Sequence, residues 1–280
     1  MCTISLYHQL KQVLTQSGMD EREASAITLM LIEEKTGLSR TQILTSAATA
    51  HCADLLPLAQ QVARGVPVQY VLGYAYFCGM KFRVTPSVLI PRPETEELVE
   101  WVISSVKRYG AEPRILDVGT GSGCIAITLA KRIPTAHVTA LDISAEALQV
   151  ARRNAEALHA EVRFQQLDIL HQQPQGTYDL IVSNPPYVCE SEKATMERNV
   201  LDHEPHLALF VPDASPLLFY EAIARQALTP LTPNGQLYFE INRQYGTALT
   251  TLLHSLGYTD IQLRRDHFGN DRMIQCTINN

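Results

Sequence analysis

The sequence predicts an α/β protein: a mostly parallel sheet with an antiparallel edge pair, preceded by a small N-terminal helical bundle and a β-hairpin linker. Three observations carry this. Residues 1–65 hold only helix-like patterns. From Arg114 onward, apolar strand-like runs alternate with amphipathic helical ones, the pattern of a parallel sheet covered on both faces. The last two strand-like runs follow each other with no helix between them, which makes them an antiparallel pair at one edge.

Taken in order, "ISLYHQLKQVLTQSG" places Leu6, Leu10 and Leu14 at four-residue spacing and stops at Gly18. "MDEREASAITLMLIEEKTG" opens on acidic residues and ends at Gly37, as the helix dipole favours. Ser39 is a candidate N-cap for "RTQILTSA", and "DLLPLAQQVARG" stops at Gly65. At Pro67 the character changes. "YFCGMKFRVTPSVLI" is aromatic and β-branched around Gly79, which predicts a hairpin. "PRPETEELVEWVISSVKRYG" is a helix opened by Pro93 and closed by Gly110, with Glu94, Glu96 and Glu97 in its first turns. Strands follow at "RILDVG", "HVTALDI", "VRFQQLD", "YDLIVSN", "QLYFEIN", "IQLRRD" and "MIQCTIN". Helices are expected near 123–132, 145–159, 216–229 and 244–256. The division is a bundle over 1–66, a hairpin linker over 67–92 and a sheet domain over 93–280.

Composition narrows the function classes. The 280 residues are 46% apolar and 19% charged, enough apolar matter for a sizeable core. The net charge of −6 argues against gripping duplex nucleic acid and suits a basic protein partner or a neutral small molecule. Cys2, Cys52, Cys78, Cys124, Cys189 and Cys276 show no C-x-x-C spacing, the usage of reduced cytosolic thiols. The nine histidines show no ligand spacing, so no metal is expected. The N-terminus lacks the apolar core of a signal peptide, and no apolar run reaches the ~18 residues of a membrane span. A cytoplasmic protein is expected. With no sustained heptad pattern, a monomer is the expected state.

The first informative stretch is "ILDVGTGSGCIA". An apolar strand runs into Asp117, Gly119, Thr120, Gly121, Ser122 and Gly123, and a helix follows. Glycines there permit a sharp turn and close approach to a ligand. The spacing is G-x-G-x-G rather than G-x-G-x-x-G, and the preceding carboxylate would repel a pyrophosphate but attract an ammonium group. Asp142 ends the next strand, about 20 residues on, where an acidic residue takes ribose hydroxyls. Asp168 ends the third strand and is suited to an adenine amino group; a turn or cap role is the alternative. Ile169 is placed to pack on the adenine face. A ribose, an adenine and a cationic amino acid together describe S-adenosylmethionine.

The second stretch is "SNPPY", which ends the fourth strand and so faces the same crevice. The side-chain oxygen of Asn184 and the carbonyl of Pro185 are acceptors, and Pro185 and Pro186 hold them stiffly. Two convergent acceptors match a planar –NH2, on whose conjugated system Tyr187 can stack. Holding that nitrogen so that its lone pair meets a sulfonium methyl is catalysis by orientation and electrostatic support. No His or Lys base stands near the motif.

"NPPY" with "LDVGTGSG" resembles the methyltransferases that modify planar –NH2 groups. "PVQYVLG" at 67–73, "VTPSVLIPRPETEELVE" at 84–100 and "RDHFGNDRM" at 265–273 narrow the resemblance to the HemK/PrmC family. That resemblance implies a seven-stranded, Rossmann-like class I methyltransferase domain and a helical domain that docks a peptide chain release factor. It implies a protein-(glutamine-N5) methyltransferase acting on the Gly-Gly-Gln loop, with Asn184, Pro185 and Tyr187 on the glutamine amide and Gly119 to Gly123 and Asp142 on the cofactor. "IPRPETE" reads either as a favourable helix start or as a lid fixed by Arg92 and Glu94. Arg272 reads as structural. Two other functions fit parts of the pattern: an adenine-N6 methyltransferase of DNA or RNA, which the acidic charge disfavours, and an inactive release-factor-binding scaffold, which the intact motifs disfavour.

Overall fold

The computed structural model describes residues 3–45, 55–109 and 112–278. The expected stop at Gly110, the thiols of Cys2 and Cys52, and the far end of the "RTQILTSA" helix lie outside the described residues. Among the described residues, five helices come first: α1 (Thr3–Gln16), α2 (Glu21–Thr36), α3 (Arg40–Thr45), α4 (Leu55–Ala63) and α5 (Val68–Leu72). A hairpin of β1 (Tyr74–Phe77) and β2 (Met80–Arg83) leads to α6 (Pro93–Val106). Alternation then begins with β3 (Arg114–Val118), α7 (Cys124–Arg132), β4 (His137–Asp142), α8 (Ala145–Ala157), β5 (Val162–Gln166) and β6 (Tyr178–Ser183). Short β7 (Val188–Cys189), α9 (Arg198–His203) and β8 (Phe210–Val211) follow. The chain closes with α10 (Leu218–Ala227), β9 (Leu231–Glu240), α11 (Gly246–Ser255), β10 (Tyr258–Arg265) and β11 (Asp271–Ile278).

The chain folds as two units. One runs to Tyr74 and takes in Glu197–His203; the other comprises Ala75–Met196 and everything from Glu204 onward. In the first, Leu6, Leu10 and Leu14 form one stripe of α1, packed with Ile27, Leu31 and Ile32 of α2 and with Ile43 and Leu55. Asp20 caps α2 by accepting from the N–H groups of Arg22 and Glu23. Ser39 and Gln42 cap α3 reciprocally: the Gln42 N–H reaches Ser39 Oγ at 3.4 Å and the Ser39 N–H reaches Gln42 Oε1 at 2.9 Å.

In the second unit, Cys78 and Gly79 turn the hairpin with φ of 48° and 75°, the paired positive values of a two-residue β-turn. The seven-stranded sheet has the order β10-β11-β9-β6-β3-β4-β5. Pairings from β5 through to β9 are parallel, while β9–β11 and β11–β10 are antiparallel. The pleat sorts side chains by parity. Ile115, Val138, Leu180, Val182 and Tyr238 pack under α6 and α7, whereas Leu116, Leu141, Ile181, Leu237 and Phe239 pack under α10 and α11. Both faces are therefore buried, which is why these strands read as unbroken apolar runs. No helix among the described residues is long and apolar enough to cross a membrane.

Candidate active site

The strand order fixes where a ligand site must be. From β3 the chain moves to β4 and β5 on one side, then crosses to β6 on the other. The loops after β3 and β6 therefore flank the point at which the order reverses, the position where open α/β sheets bind ligands. The Ser183 hydroxyl donates to the Val118 carbonyl at 2.6 Å and staples the ends of these two strands together. A cavity of about 460 Å³ opens there, within the range of small-molecule sites. Its wall includes Gly119, Thr120, Gly121, Ser122, Asp142 and Asn184.

The glycine loop is built from its own backbone. The N–H groups of Gly119 and Thr120 both bond the Leu141 carbonyl, at 2.9 and 2.8 Å. Asp142 Oδ2 accepts the Gly121 N–H at 2.8 Å and Oδ1 accepts the Ser144 N–H at 2.9 Å. Each oxygen keeps lone-pair capacity beyond that single bond. Burial raises the pKa of Asp142 while these N–H groups pull it down. Gly121 has φ 54° with open space where a Cβ would stand, so its backbone can be approached from the cavity. Gly123 differs: a Cβ there would lie 2.8 Å from Ile127 Cδ1 and 3.1 Å from Ala151 Cβ, so this glycine lets α7 and α8 close together. Asn154 ties the loop down further. Its Nδ2 donates to the carbonyls of Ser122 (2.8 Å) and Arg83 (3.0 Å), and its Oδ1 accepts the Arg83 N–H at 2.7 Å.

Asp117 stands behind the wall rather than on it. Its Oδ2 accepts from the Thr120 hydroxyl (2.6 Å) and the Ala126 N–H (3.2 Å), while its buried Oδ1 has no partner among the described residues. Burial pushes its pKa up to about 7 against those two hydrogen bonds. Asp168 and Ile169 do line the cavity. The Asp168 carboxylate is engaged by His171 Nδ1 at 2.7 Å and the Leu170 N–H at 3.0 Å, so it also caps its own turn, and the His171 bond lowers its pKa.

The motif after β6 splits. Asn184, Pro185 and Pro186 line the cavity; Tyr187 is not among the lining residues and packs on the core beside α10 instead. Its hydroxyl donates to Glu240 Oε1 at 3.0 Å. Glu240 Oε2 accepts the Thr95 hydroxyl at 2.6 Å, and Thr95 Oγ1 accepts from Asn184 Nδ2 at 3.2 Å. Burial raises the pKa of Glu240, and Thr95, Tyr187 and Arg272 pull it down. Burial and the neighbouring Glu240 hold Tyr187 far above the usual phenol range. Arg272 donates from Nε to Asp266 Oδ2 at 3.1 Å. Thr95 and Glu240 are partners of the motif that the sequence reading did not identify. Glu240 carried a signal, since it ends an apolar strand as Asp117 and Asp142 do.

Ser87, Val88, Leu89, Pro91 and Arg92 supply another stretch of cavity wall, and Glu204 anchors it. Its carboxylate accepts the Ile90 N–H at 3.1 Å and the Arg92 guanidinium at 2.5 Å. Glu94, expected to share in fixing this loop, instead borders a separate groove with Trp101 and Phe268. Among the described residues no group of three His, Cys, Asp or Glu side chains is arranged to hold a metal ion.

Comparison with known proteins gives concordant results. The family model for the methyltransferase small domain matches residues 98–207, and that for the PrmC N-terminal domain matches residues 5–73. A release factor glutamine methyltransferase of Bacteroides thetaiotaomicron is 53% identical over 216 residues, covering 76% of this chain and 77% of its own. One from Flavobacterium psychrophilum is 43% identical over 272 residues, covering 92% and 93%. One from Bacillus subtilis is 38% identical over 275 residues, covering 95% and 94%. Among solved structures, the hMettl16 catalytic domain superposes with a TM-score of 0.57 at 15% identity, over 80% of this chain and 82% of that one. A methyltransferase from Pyrococcus furiosus superposes with a TM-score of 0.51 at 19% identity, over 73% and 91%. These two likenesses bear on the fold, that of a class I methyltransferase.

Proposed function

Since the chain belongs to the release factor glutamine methyltransferase family, we propose that it transfers a methyl group from S-adenosylmethionine to the side-chain amide nitrogen of the glutamine in the Gly-Gly-Gln loop of class I release factors, working in the cytoplasm. The observation that carries this reading is the meeting of Asn184, Pro185 and Pro186 with the glycine loop and Asp142 on one cavity wall. The donor set fits the cofactor. Asp142 retains acceptor capacity for two ribose hydroxyls, Leu141, Ile143 and Ile169 offer apolar surface to an adenine, and Gly121 leaves its backbone open to approach. Asp117 stands behind the wall as a protonatable carboxyl, and a ligand ammonium brought toward it would favour its ionised form. Asp168 can accept from an adenine amino group with the lone pairs that His171 and Leu170 leave.

The cofactor, when bound, supplies an electrophilic sulfonium methyl. The chain's own part is to present the nucleophile. An amide nitrogen is weakly nucleophilic because its lone pair is delocalised. Asn184 Oδ1 and the Pro185 carbonyl accept its two N–H groups, orient it and stabilise the positive charge that develops on it. Once methylated, the nitrogen is strongly acidic and gives up one of its protons to solvent, so no dedicated base is needed. Pro185 and Pro186 hold those acceptors with little conformational freedom. Tyr187 serves from behind, through Glu240 and its packing on the core.

The test is mass spectrometry of a purified release factor incubated with this protein and S-adenosylmethionine. One methyl on the Gly-Gly-Gln glutamine is expected, with Asn184→Ala slowed by about 10²–10³-fold. A release factor left unmodified, with adenine methylated in a parallel DNA or RNA incubation, would replace this reading with that of an adenine-N6 enzyme.

A further inference from the structure

Asn184 can stand either way round. Its amide has nearly the same shape with Oδ1 and Nδ2 exchanged, yet the two orientations are chemical opposites. With Oδ1 toward the cavity it accepts from a substrate –NH2. With Nδ2 toward the cavity it sets donors against donors. We propose that Glu240 and Thr95 are positioning residues that decide this orientation, a proposal that rests on Asn184 being the acceptor for the substrate amide.

The argument is a count of protons. Thr95 has one hydroxyl proton and two possible recipients, Glu240 Oε2 at 2.6 Å and Asn184 at 3.2 Å. Tyr187 likewise has one proton, directed at Glu240 Oε1 at 3.0 Å. An ionised carboxylate only accepts, so both hydroxyl protons point at Glu240. Thr95 Oγ1 then has only lone pairs left for Asn184. The side of Asn184 that faces it must be the –NH2, and Oδ1 is turned away from it. Glu240 is 1% exposed and Thr95 is 2% exposed, so bulk water offers neither an alternative partner. Burial, the largest influence, and Glu94 raise the carboxyl's pKa, while the two hydroxyl donors and Arg272 lower it. The geometry has Glu240 accepting both hydroxyls, at 2.6 and 3.0 Å. Three elements far apart in sequence thus converge on one side chain: the first turn of α6, the end of β9 and the loop after β6.

The experiment compares Thr95→Val, Thr95→Ser and Glu240→Gln in the full chain, each alone and combined with Asn184→Ala. It reads kcat and KM for a release factor, and cofactor Kd by calorimetry. Thr95→Val, which keeps the shape and removes the hydroxyl, is expected to lower kcat about 10- to 100-fold. Cofactor Kd should stay within about threefold, and Thr95→Ser should recover most of the rate. Glu240→Gln can donate to Thr95 and release its proton toward Asn184, so it should lower kcat in the same way. On the Asn184→Ala background neither change should cost more than about twofold, because the group they orient is gone.

The proposal is overturned if Thr95→Val keeps wild-type kcat, or if Thr95→Ser is as slow as Thr95→Val. It is also overturned if Thr95→Val loses cofactor binding, which would mark a packing role. Asn184→Ala at full activity would instead remove the functional reading on which the proposal rests.

Discussion

Asp117 is sealed from solvent with one oxygen unpartnered among the described residues, and its pKa of about 7 has a measurable consequence. Between about pH 4 and pH 7 the folded chain keeps a proton on this carboxyl that the unfolded chain has lost. The unfolded state binds fewer protons there, so stability falls as pH rises through that window and levels off above it. Asn at this position can still accept from Thr120 and Ala126 without a charge. Urea denaturation of the ligand-free protein should therefore show Asp117→Asn gaining on the wild type from pH 5 to pH 8, by at most on the order of 3 kcal/mol. Equal pH slopes for the two proteins would contradict it. Strand-end acids were legible because a carboxylate that ends an apolar run has few structural excuses. Glu240 obeys that rule, but its partners Thr95 and Tyr187 lie 145 and 53 residues away, and no spacing reveals them. Thr95 was hidden by its surroundings, since a first helical turn rich in glutamates explains itself through the dipole alone.

At the scale of the element, the turn between β3 and α7 contains two glycines with opposite duties. Gly123→Ala would drive a methyl into Ile127 and Ala151 at a φ of 84°, combining a left-handed penalty with overpacking. A loss of about 2–4 kcal/mol is expected in thermal or urea denaturation. Gly121→Ala meets nothing within 4 Å, so only the backbone penalty of about 1–2 kcal/mol applies. Its cost should appear in cofactor Kd, since Gly121 lines the cavity. Similar stability losses for the two variants would show that the loop does not divide its glycines in this way. The long periodic elements were readable because seven apolar runs and the helices between them repeat their pattern several times. By contrast, α5, α9 and the pair β7–β8 were not: a five-residue helix or a two-residue strand is shorter than the period that would announce it.

For the whole molecule, local periodicity named the strands but not all their neighbours. That β6 lies against β3, with β9 beyond it, follows from the crossover and not from any residue pattern. Nor does any pattern announce that Glu197–His203 belongs with a unit that otherwise ends at Tyr74. Net charge acts at this scale. At −6, the protein should attract a basic partner from a distance, an effect that salt screens. kcat/KM on an intact release factor should fall about three- to tenfold between low and moderately high salt, with cofactor Kd nearly unchanged. A salt-independent kcat/KM would mean that encounter is not steered by charge.

One side chain described above, Asn154, is also exposed to chemical ageing. Conversion of its amide to an acid changes the mass by about one unit and the shape hardly at all, and asparagine is among the thermolabile residues. Here it would replace the –NH2 group, which donates to both carbonyls, with a single carboxylate oxygen facing the carbonyls of Ser122 and Arg83. The glycine loop and the hairpin would then be pushed apart by the group that now joins them. The fold also shelters this position: α8 holds the next backbone nitrogen in a helix, away from the side-chain carbonyl it would have to attack. Shelf life and heat history would then bear on activity through a residue that touches neither substrate nor cofactor.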